Sequence, residues 1–186
     1  MYERTLAIRI RGLFYGCALA LVCTAANGQA VVTFEDAKAT LLNAMLQHTR
    51  WPDEAQTNAF TVGLYGRNTE LYRTLRRRLS DTTVRGKSLS VVNFRTLEDA
   101  KSAHVLLLAK NRNSEIADII TGLQGSHTLV VTDDNSDQRN IMINFTYPAR
   151  MRLAFEVNRS NIIYAGLELS KDILLFGGRS EEHTFE

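Results

Sequence analysis

Three aspartates in the second half of the chain have the residue types of a cation site. Asp133, Asp134 and Asp137 lie within one short segment, and clustered carboxylates are ligands that hard cations prefer. The segment lacks the regular alternation of ligands that defines a calcium-binding loop. Asp and Asn are also common in solvated turns. We therefore predict a turn here, with a cation site as the alternative.

Polar residues follow three of the predicted strands, at the carboxyl ends where open α/β sheets usually bind ligands. One candidate ligand is an anion at the start of a helix beside Gly66. The alternative is that the polar residues simply form turns. The segment Gly63-Leu-Tyr-Gly66 lacks the third glycine of a dinucleotide fingerprint. The three segments are Gly66-Arg67-Asn68, Ala109-Lys110-Asn111 and Asp133-Asp134-Asn135.

Residues for nucleophilic or acid–base catalysis do not form a recognisable pattern. Ser126 lies in Gln124-Gly-Ser-His-Thr128, which does not match Gly-x-Ser-x-Gly. The glutamates are dispersed, so no pair suited to general acid–base work is evident. The histidines are scattered at positions 48, 104, 127 and 183. We predict a protein that is not an enzyme and has no metal and no cofactor.

A run of arginines and the single tryptophan are candidates for contacts with a partner. Arg73, Arg76, Arg77 and Arg78 follow one another closely, and arginine is favoured in ion pairs at interfaces; the alternative is a solvated helix face. Trp51 is either a core residue or an aromatic anchor. The candidate partner or ligand contacts are Trp51, Arg67, Asn68, Arg73, Arg77 and Asp133.

The first element that must position these residues is a helix. Thr33 and Asp36 have the spacing of a capping box, and apolar residues from Phe34 to Leu46 recur at helical intervals. Arg50-Trp51-Pro52 should end the helix, because the residue before a proline avoids helical geometry.

Strands then alternate with helices. Asn68 should cap a helix with Leu71, Leu75 and Leu79 on its buried side, and Ser114 should open another. This alternation predicts an α/β fold in three layers, with a mostly parallel central sheet and helices on both faces. The predicted strands are 60–64, 89–94, 104–108 and 128–132, with a short helical crossover at 96–102.

The last third of the chain has a different pattern. Strands at 141–147 and 151–157 are separated only by Pro148-Ala-Arg150, which favours a C-terminal antiparallel hairpin. Ser160 should cap a turn of helix through Tyr164. A terminal helix is predicted over 167–176, ended by two glycines, and the polar tail 179–186 should fray.

The N-terminal segment has the features of a secretory signal peptide. Three arginines precede an apolar run from Leu13 to Ala26, and small residues precede a cleavage site after Ala30. The run is short for a membrane-spanning helix, so an uncleaved anchor is the alternative. We predict a leader over 1–30 and a single domain over 31–178.

Removal of the leader changes the composition of the chain. Both cysteines, Cys17 and Cys23, lie in the leader, as do three of the 22 basic and one of the 20 acidic side chains. The mature chain would therefore contain no thiol and 19 side chains of each charge. A neutral chain gives no support to a nucleic-acid partner, and no later segment is long and apolar enough to span a membrane.

The order of these segments resembles the YfiR family of periplasmic regulators. The similarity covers residues 38 to about 176, and the pattern after residue 151 is its most specific part. The matching segments are 41–50 leading into Trp51-Pro52, 60–66, Arg85-Gly-Lys87 leading into 89–94, 103–108, 128–133, 151–158 and 165–175.

The resemblance implies a non-enzymatic, dimeric regulator in the periplasm. Such a protein holds the sensor region of an inner-membrane diguanylate cyclase inactive, which lowers cyclic-di-GMP, biofilm and exopolysaccharide output until an outer-membrane lipoprotein sequesters it. The mature chain lacks the paired cysteines common in the family, so redox-linked control is not implied. A periplasmic small-ligand-binding protein, with Asn68, Asn111 and Asp133 lining its site, is the alternative.

Overall fold

The computed structural model describes residues 32–149 and 152–181. The predicted leader, residues 1–30, lies outside the described residues, as do residues 182–186 of the predicted tail. None of the described helices has the length and apolarity that a bilayer crossing requires.

The first helix, α1, spans Phe34–His48 and begins with the predicted capping box. The Thr33 hydroxyl accepts from the backbone N–H of Asp36, and the Asp36 carboxylate accepts from the backbone N–H of Thr33. The helix ends before the predicted stop, because Thr49 is extended and forms strand β1 with Arg50. The two residues pair antiparallel with a late strand, β9, Glu168–Leu169.

Eight strands form the central sheet, in the order β10-β8-β7-β6-β5-β2-β4-β3. Strands β4, β2, β5, β6 and β7 are parallel, and β8 pairs antiparallel with β7, so the predicted parallel sheet and hairpin are both confirmed. The strands are β2 Ala59–Tyr65, β3 Thr83–Val84, β4 Lys87–Phe94, β5 Val105–Leu108, β6 Leu129–Asp133, β7 Ile143–Ala149, β8 Arg152–Asn158 and β10 Gly178–Glu181.

Helices cover both faces of this sheet. The chain moves from β2 to β4 through α2, then back across β2 to β5 through α3 and onward to β6 through α4. Because right-handed crossovers in opposite directions place their helices on opposite faces, α2 lies across the sheet from α3 and α4. The predicted three-layer architecture is confirmed. The helices are α2 Thr69–Leu79, α3 Leu97–Ala100, α4 Ile116–Gly122 and α5 Arg159–Tyr164.

The strands at the centre of the sheet are completely buried. Every residue of β5 and of β6 is buried, as expected for central parallel strands covered on both faces. Three phenylalanines of the core, Phe60, Phe145 and Phe155, have at most 1% of their surface exposed. They belong to one continuous hydrophobic core that also includes buried residues of α1.

Two predicted helix starts are wrong. Residues Lys110–Glu115 form a 3₁₀ helix before α4, so Ser114 is not the N-cap. The cap of α5 is Asn158, whose side chain accepts from the backbone N–H of Asn161, rather than Ser160. In both places the chain turns earlier than the apolar pattern indicates; at α5 this is because the Asn158 side chain supplies the cap.

The C-terminal segment differs from its prediction in two ways. Only Lys171–Phe176 is helical, in 3₁₀ form, because pairing with β1 holds Glu168–Leu169 extended. Gly177, at φ +99°, ends the turn as expected. The fraying predicted from residue 179 onward is wrong for residues 179–181, because Gly178–Glu181 pairs parallel with β8 as strand β10.

Candidate functional site

The carboxyl edge of the sheet contains a buried ion pair. Asp133 ends β6, and its Oδ2 lies 2.7 Å from Nζ of Lys38 on α1. The two side chains are 4% (Lys38) and 5% (Asp133) exposed. Tyr147 on β7 donates its hydroxyl to Oδ1 of Asp133 at 2.6 Å. Both oxygens of the carboxylate are therefore engaged inside the protein.

Tyr147 is held in its protonated form. Burial, together with the hydrogen bond to Asp133, raises the pKa of the phenol well above its ordinary value. Phe34 meets the ring edge-on at 5.3 Å between centroids, and the ammonium of Lys110 lies 4.9 Å from the ring centroid. The phenol therefore acts as a hydrogen-bond donor that fixes Asp133.

The other aspartates of the predicted turn serve local structure. Asp134 forms an exposed ion pair with Lys110 at 3.1 Å. Asp137 accepts from the backbone N–H groups of Arg139 and Asn140. Over residues 32–149 and 152–181, no three His, Cys, Asp or Glu side chains come together as a metal site.

The strand order reverses between β2 and β5, where a ligand would be expected in this type of sheet. There the backbone N–H of Arg67 donates to Oδ1 of Asn111 at 2.9 Å, and Asn68 accepts from the backbone N–H of Leu71. A Cβ on Gly66 would lie 2.9 Å from Asn111 Oδ1 and from the Cβ of Ala109. The residues predicted to bind a ligand thus bind each other and cap α2.

Two arginines of α2 are committed to an internal contact. Arg77 and Arg78 donate to Oδ1 of Asp36 at 3.0 and 2.8 Å, which ties α2 to α1. The bond from Arg78, followed by that from Thr33, holds the pKa of Asp36 well below its usual range. Arg73 lies on the outer surface of the helix and is exposed, as are Arg77 and Arg78.

Trp51 is a core residue in this structure. It is 7% exposed, and its ring lies 5.3 Å from that of Phe60 and 5.8 Å from that of His104. Thr61 donates its backbone N–H to His104 Nδ1, and burial lowers the pKa of this histidine. Within the described part of the chain, the indole nitrogen has no hydrogen-bond partner. Trp51 is thus placed as a packing residue and not as a surface anchor.

Exposed apolar side chains concentrate in one stretch of the chain, outside the residues predicted to contact a partner or ligand. Among the described residues, four of the five exposed large hydrophobic side chains lie between positions 163 and 176, and Tyr164 and Leu175 are 80% and 86% exposed. We call these four the apolar surface residues: Ile163, Tyr164, Leu175 and Phe176. The run Ile173–Phe176 was a usable signal, because a short helix cannot bury four consecutive apolar residues on one face.

A cleft lies beside α5. Its volume is about 180 Å³, which is enough for a single ring or a branched apolar side chain. His127, at φ +53°, borders the cleft, and its Nδ1 donates to the carbonyl of Ala165 at 2.9 Å. The apolar part of the lining is Ile120, Leu123, Met142, Tyr164 and Ala165.

Comparison with known proteins identifies a family. The family model described as YfiR/HmsC-like matches residues 35–177. The search of curated proteins found no relative. The matched range contains the whole buried core, the carboxyl edge of the sheet and the apolar surface residues.

Proposed function

The chain belongs to the YfiR/HmsC-like family of periplasmic regulators of diguanylate cyclase signalling, and from this premise we propose that it binds and represses the sensor region of an inner-membrane diguanylate cyclase. The observation that carries the proposal is the family match, which spans nearly all of the described residues. The family is regulatory rather than catalytic. Binding would lower cyclic-di-GMP and with it biofilm and exopolysaccharide production.

The apolar surface residues are the proposed contact with the cyclase. Exposed large apolar side chains mark protein-binding surfaces when they lie together; these four fall within the stretch 163–176 of the chain, and two of them are aromatic, the residue type that dominates the energy of such interfaces. Tyr164 also borders the cleft beside α5, which has room for one apolar side chain of the partner. This part of the chain therefore replaces Trp51 as the proposed aromatic anchor.

Repression requires no chemistry from this protein. A ligand shifts an equilibrium only by the difference in its affinities for the two states, and reversal of a 1:99 population needs a difference of about 10⁴-fold. We propose that an outer-membrane lipoprotein relieves repression by competing for the same surface, and that the regulator works as a homodimer.

Pull-down of the mature chain with periplasmic sensor regions of membrane cyclases tests the proposal. We expect one sensor region to bind, and the Tyr164→Asp and Leu175→Asp variants to bind at least tenfold more weakly, because each places a charge in an apolar interface. Ala117→Asp adds the same charge to the exposed surface of α4 and should bind normally. Absence of binding to every sensor region, with unchanged cyclic-di-GMP in a deletion strain, would contradict the proposal.

A further inference from the structure

Strand β4 has an open outer edge. It pairs with β2 along its length, from Ser88 to Phe94. On its other side, β3 covers only Lys87 and Ser88. No strand among residues 32–149 and 152–181 pairs with the outer side of Leu89–Phe94.

The turn between β3 and β4 shows which backbone groups point outward. Arg85 and Gly86 both have positive φ, +48° and +80°, as in a two-residue type I′ turn. The pair that closes such a turn exchanges hydrogen bonds, so the backbone groups of Lys87 face β3. Because the direction alternates along a strand, Leu89, Val91 and Asn93 turn their N–H and C=O groups outward.

This edge lacks the usual protection. The segment Leu-Ser-Val-Val-Asn-Phe (residues 89–94) contains no charged residue and no proline, although natural sheet edges are commonly blunted by such residues. Val91, Val92 and Phe94 are partly exposed. Among the described residues, no turn or loop makes a backbone hydrogen bond to the outward N–H and C=O groups of Leu89, Val91 and Asn93. An edge of this kind is a template for an added strand.

The charge beside the edge of β4 indicates which kind of strand binds there. Helix α2 packs on β4, the strand that carries the open edge. Its exposed side chains include Arg73 and Arg76, and the guanidinium of Arg76 lies 6.0 Å from the centroid of the Tyr72 ring. Arginines beside the edge favour an acidic strand. A second copy paired across a twofold axis would instead bring the arginines of its own α2 to the same face.

We propose that the outer edge of β4, over Leu89–Phe94, binds an extended acidic segment of a partner protein as an added strand. The inference rests on the proposed function as a protein-binding regulator and adds a second contact surface to it. Acidic side chains at every second position of the segment would face Arg73 and Arg76. The intervening β-branched side chains would lie beside Val92 and Phe94.

A peptide titration tests this without any cyclase. The probe is the capped peptide Thr-Glu-Val-Glu-Val-Glu-Thr, and its counterpart carries Lys in place of Glu. In amide NMR spectra of the mature chain, the acidic peptide should cause saturable shifts at Leu89, Val91 and Asn93 and slow their hydrogen exchange. The basic peptide should bind at least tenfold more weakly. No shift at millimolar peptide, equal binding of both peptides or shifts elsewhere would overturn the proposal.

Two pairs of variants separate backbone and charge effects. Val91→Pro removes one outward N–H and leaves the bonds to β2 intact. Asn93→Pro removes the next outward N–H, nearer the end of the strand, and serves if Val91→Pro does not fold; either variant should abolish peptide binding. Arg76→Glu should weaken binding of the acidic peptide at least fivefold, whereas Arg139→Glu, an exposed arginine between β6 and β7, should not change it. Unaltered binding by the edge variants would overturn the proposal.

Sedimentation of the free protein tests the competing occupant. Dimerisation that Val91→Pro or Asn93→Pro abolishes would assign the edge to a second copy and overturn the proposal. Failure of the peptide titration leaves the cyclase pull-down unaffected, so failure of the edge proposal and failure of the proposed function are distinguishable.

Discussion

Lys38 and Asp133 form an ion pair at the carboxyl edge of the sheet, between residues that are 95 positions apart in the chain. Desolvation of two charges offsets most of their attraction, so the intact pair adds little to the free energy of unfolding. Loss of one partner is costly, because the remaining charge is left buried. The role of Asp133 is therefore to neutralise Lys38 where α1 meets the sheet.

Substitution of Asp133 tests this role. Asp133→Asn should lower the free energy of unfolding by about 3–5 kcal/mol, because Lys38 would stay buried without a counter-charge. Asp134→Asn is the matched control, since it breaks an exposed pair with Lys110 and should cost at most about 1 kcal/mol. Urea unfolding measures both. Equal losses in the two variants would show that Lys38 reaches water or another acceptor.

Asp36 makes stability depend on pH. Its pKa in the folded chain lies below the ordinary value of 3.8, chiefly because Arg78 donates to it. A carboxyl with a lowered folded pKa stabilises the fold above its unfolded pKa, and this contribution is lost as pH falls below 3.8 toward the folded pKa.

Comparison of stability at pH 6 and pH 3 measures the contribution of Asp36. The wild-type chain should lose more free energy of unfolding between these values than Asp36→Asn, which has no carboxyl to protonate at this position. Asp118→Asn removes an exposed carboxylate of α4 and should retain the wild-type slope. A slope unchanged by Asp36→Asn would rule out Asp36 as the source.

Among the elements of the fold, helix α2 contacts both the sheet and helix α1. Leu71, Leu75 and Leu79 pack into the core, and the opposite side faces solvent with exposed arginines. Arg77 and Arg78 fasten the helix to α1 through Asp36. One helix thus serves the core, the contact with α1 and the border of the open β4 edge.

Asn68, one of the predicted ligand contacts, is the N-cap of α2, and this role can be tested. Asn68→Ala should reduce the free energy of unfolding by about 1 kcal/mol, because the N–H of Leu71 loses its acceptor. Asn68→Ser restores a capping oxygen and should recover most of this loss. Thermal unfolding measures both variants. Normal stability of Asn68→Ala would mean that the cap is dispensable.

At the scale of the whole molecule, export remains a prediction of the sequence. Expression of the full chain in a Gram-negative host should give a periplasmic species that begins at Val31, as measured by intact mass. Leu21→Arg places a charge in the apolar run and should block both export and cleavage, since a signal peptide requires an uninterrupted apolar region before its cleavage site. Recovery of the uncleaved chain in the membrane would support the alternative of an anchor.

The sequence alone determined the features set by local patterns. The capping box at Thr33, the cap at Asn68 and the alternation of strands and helices each depend on residues close in the chain, and the structure contains all of them. The same local rules fail at Glu168–Leu169 and Gly178–Glu181, where distant strands supply the hydrogen-bond partners. A local pattern cannot report a partner that lies far along the chain.

Only the tertiary structure decided what the polar and aromatic candidates do. Asp133 pairs with Lys38 inside the protein, Trp51 packs against Phe60, and Arg77, although exposed, pairs with Asp36. The apolar side chains at Tyr164 and Leu175 stay exposed because no other element of the described chain covers them. Residue type fixes what a side chain is able to bind, whereas burial and distant neighbours fix whether it remains free to do so.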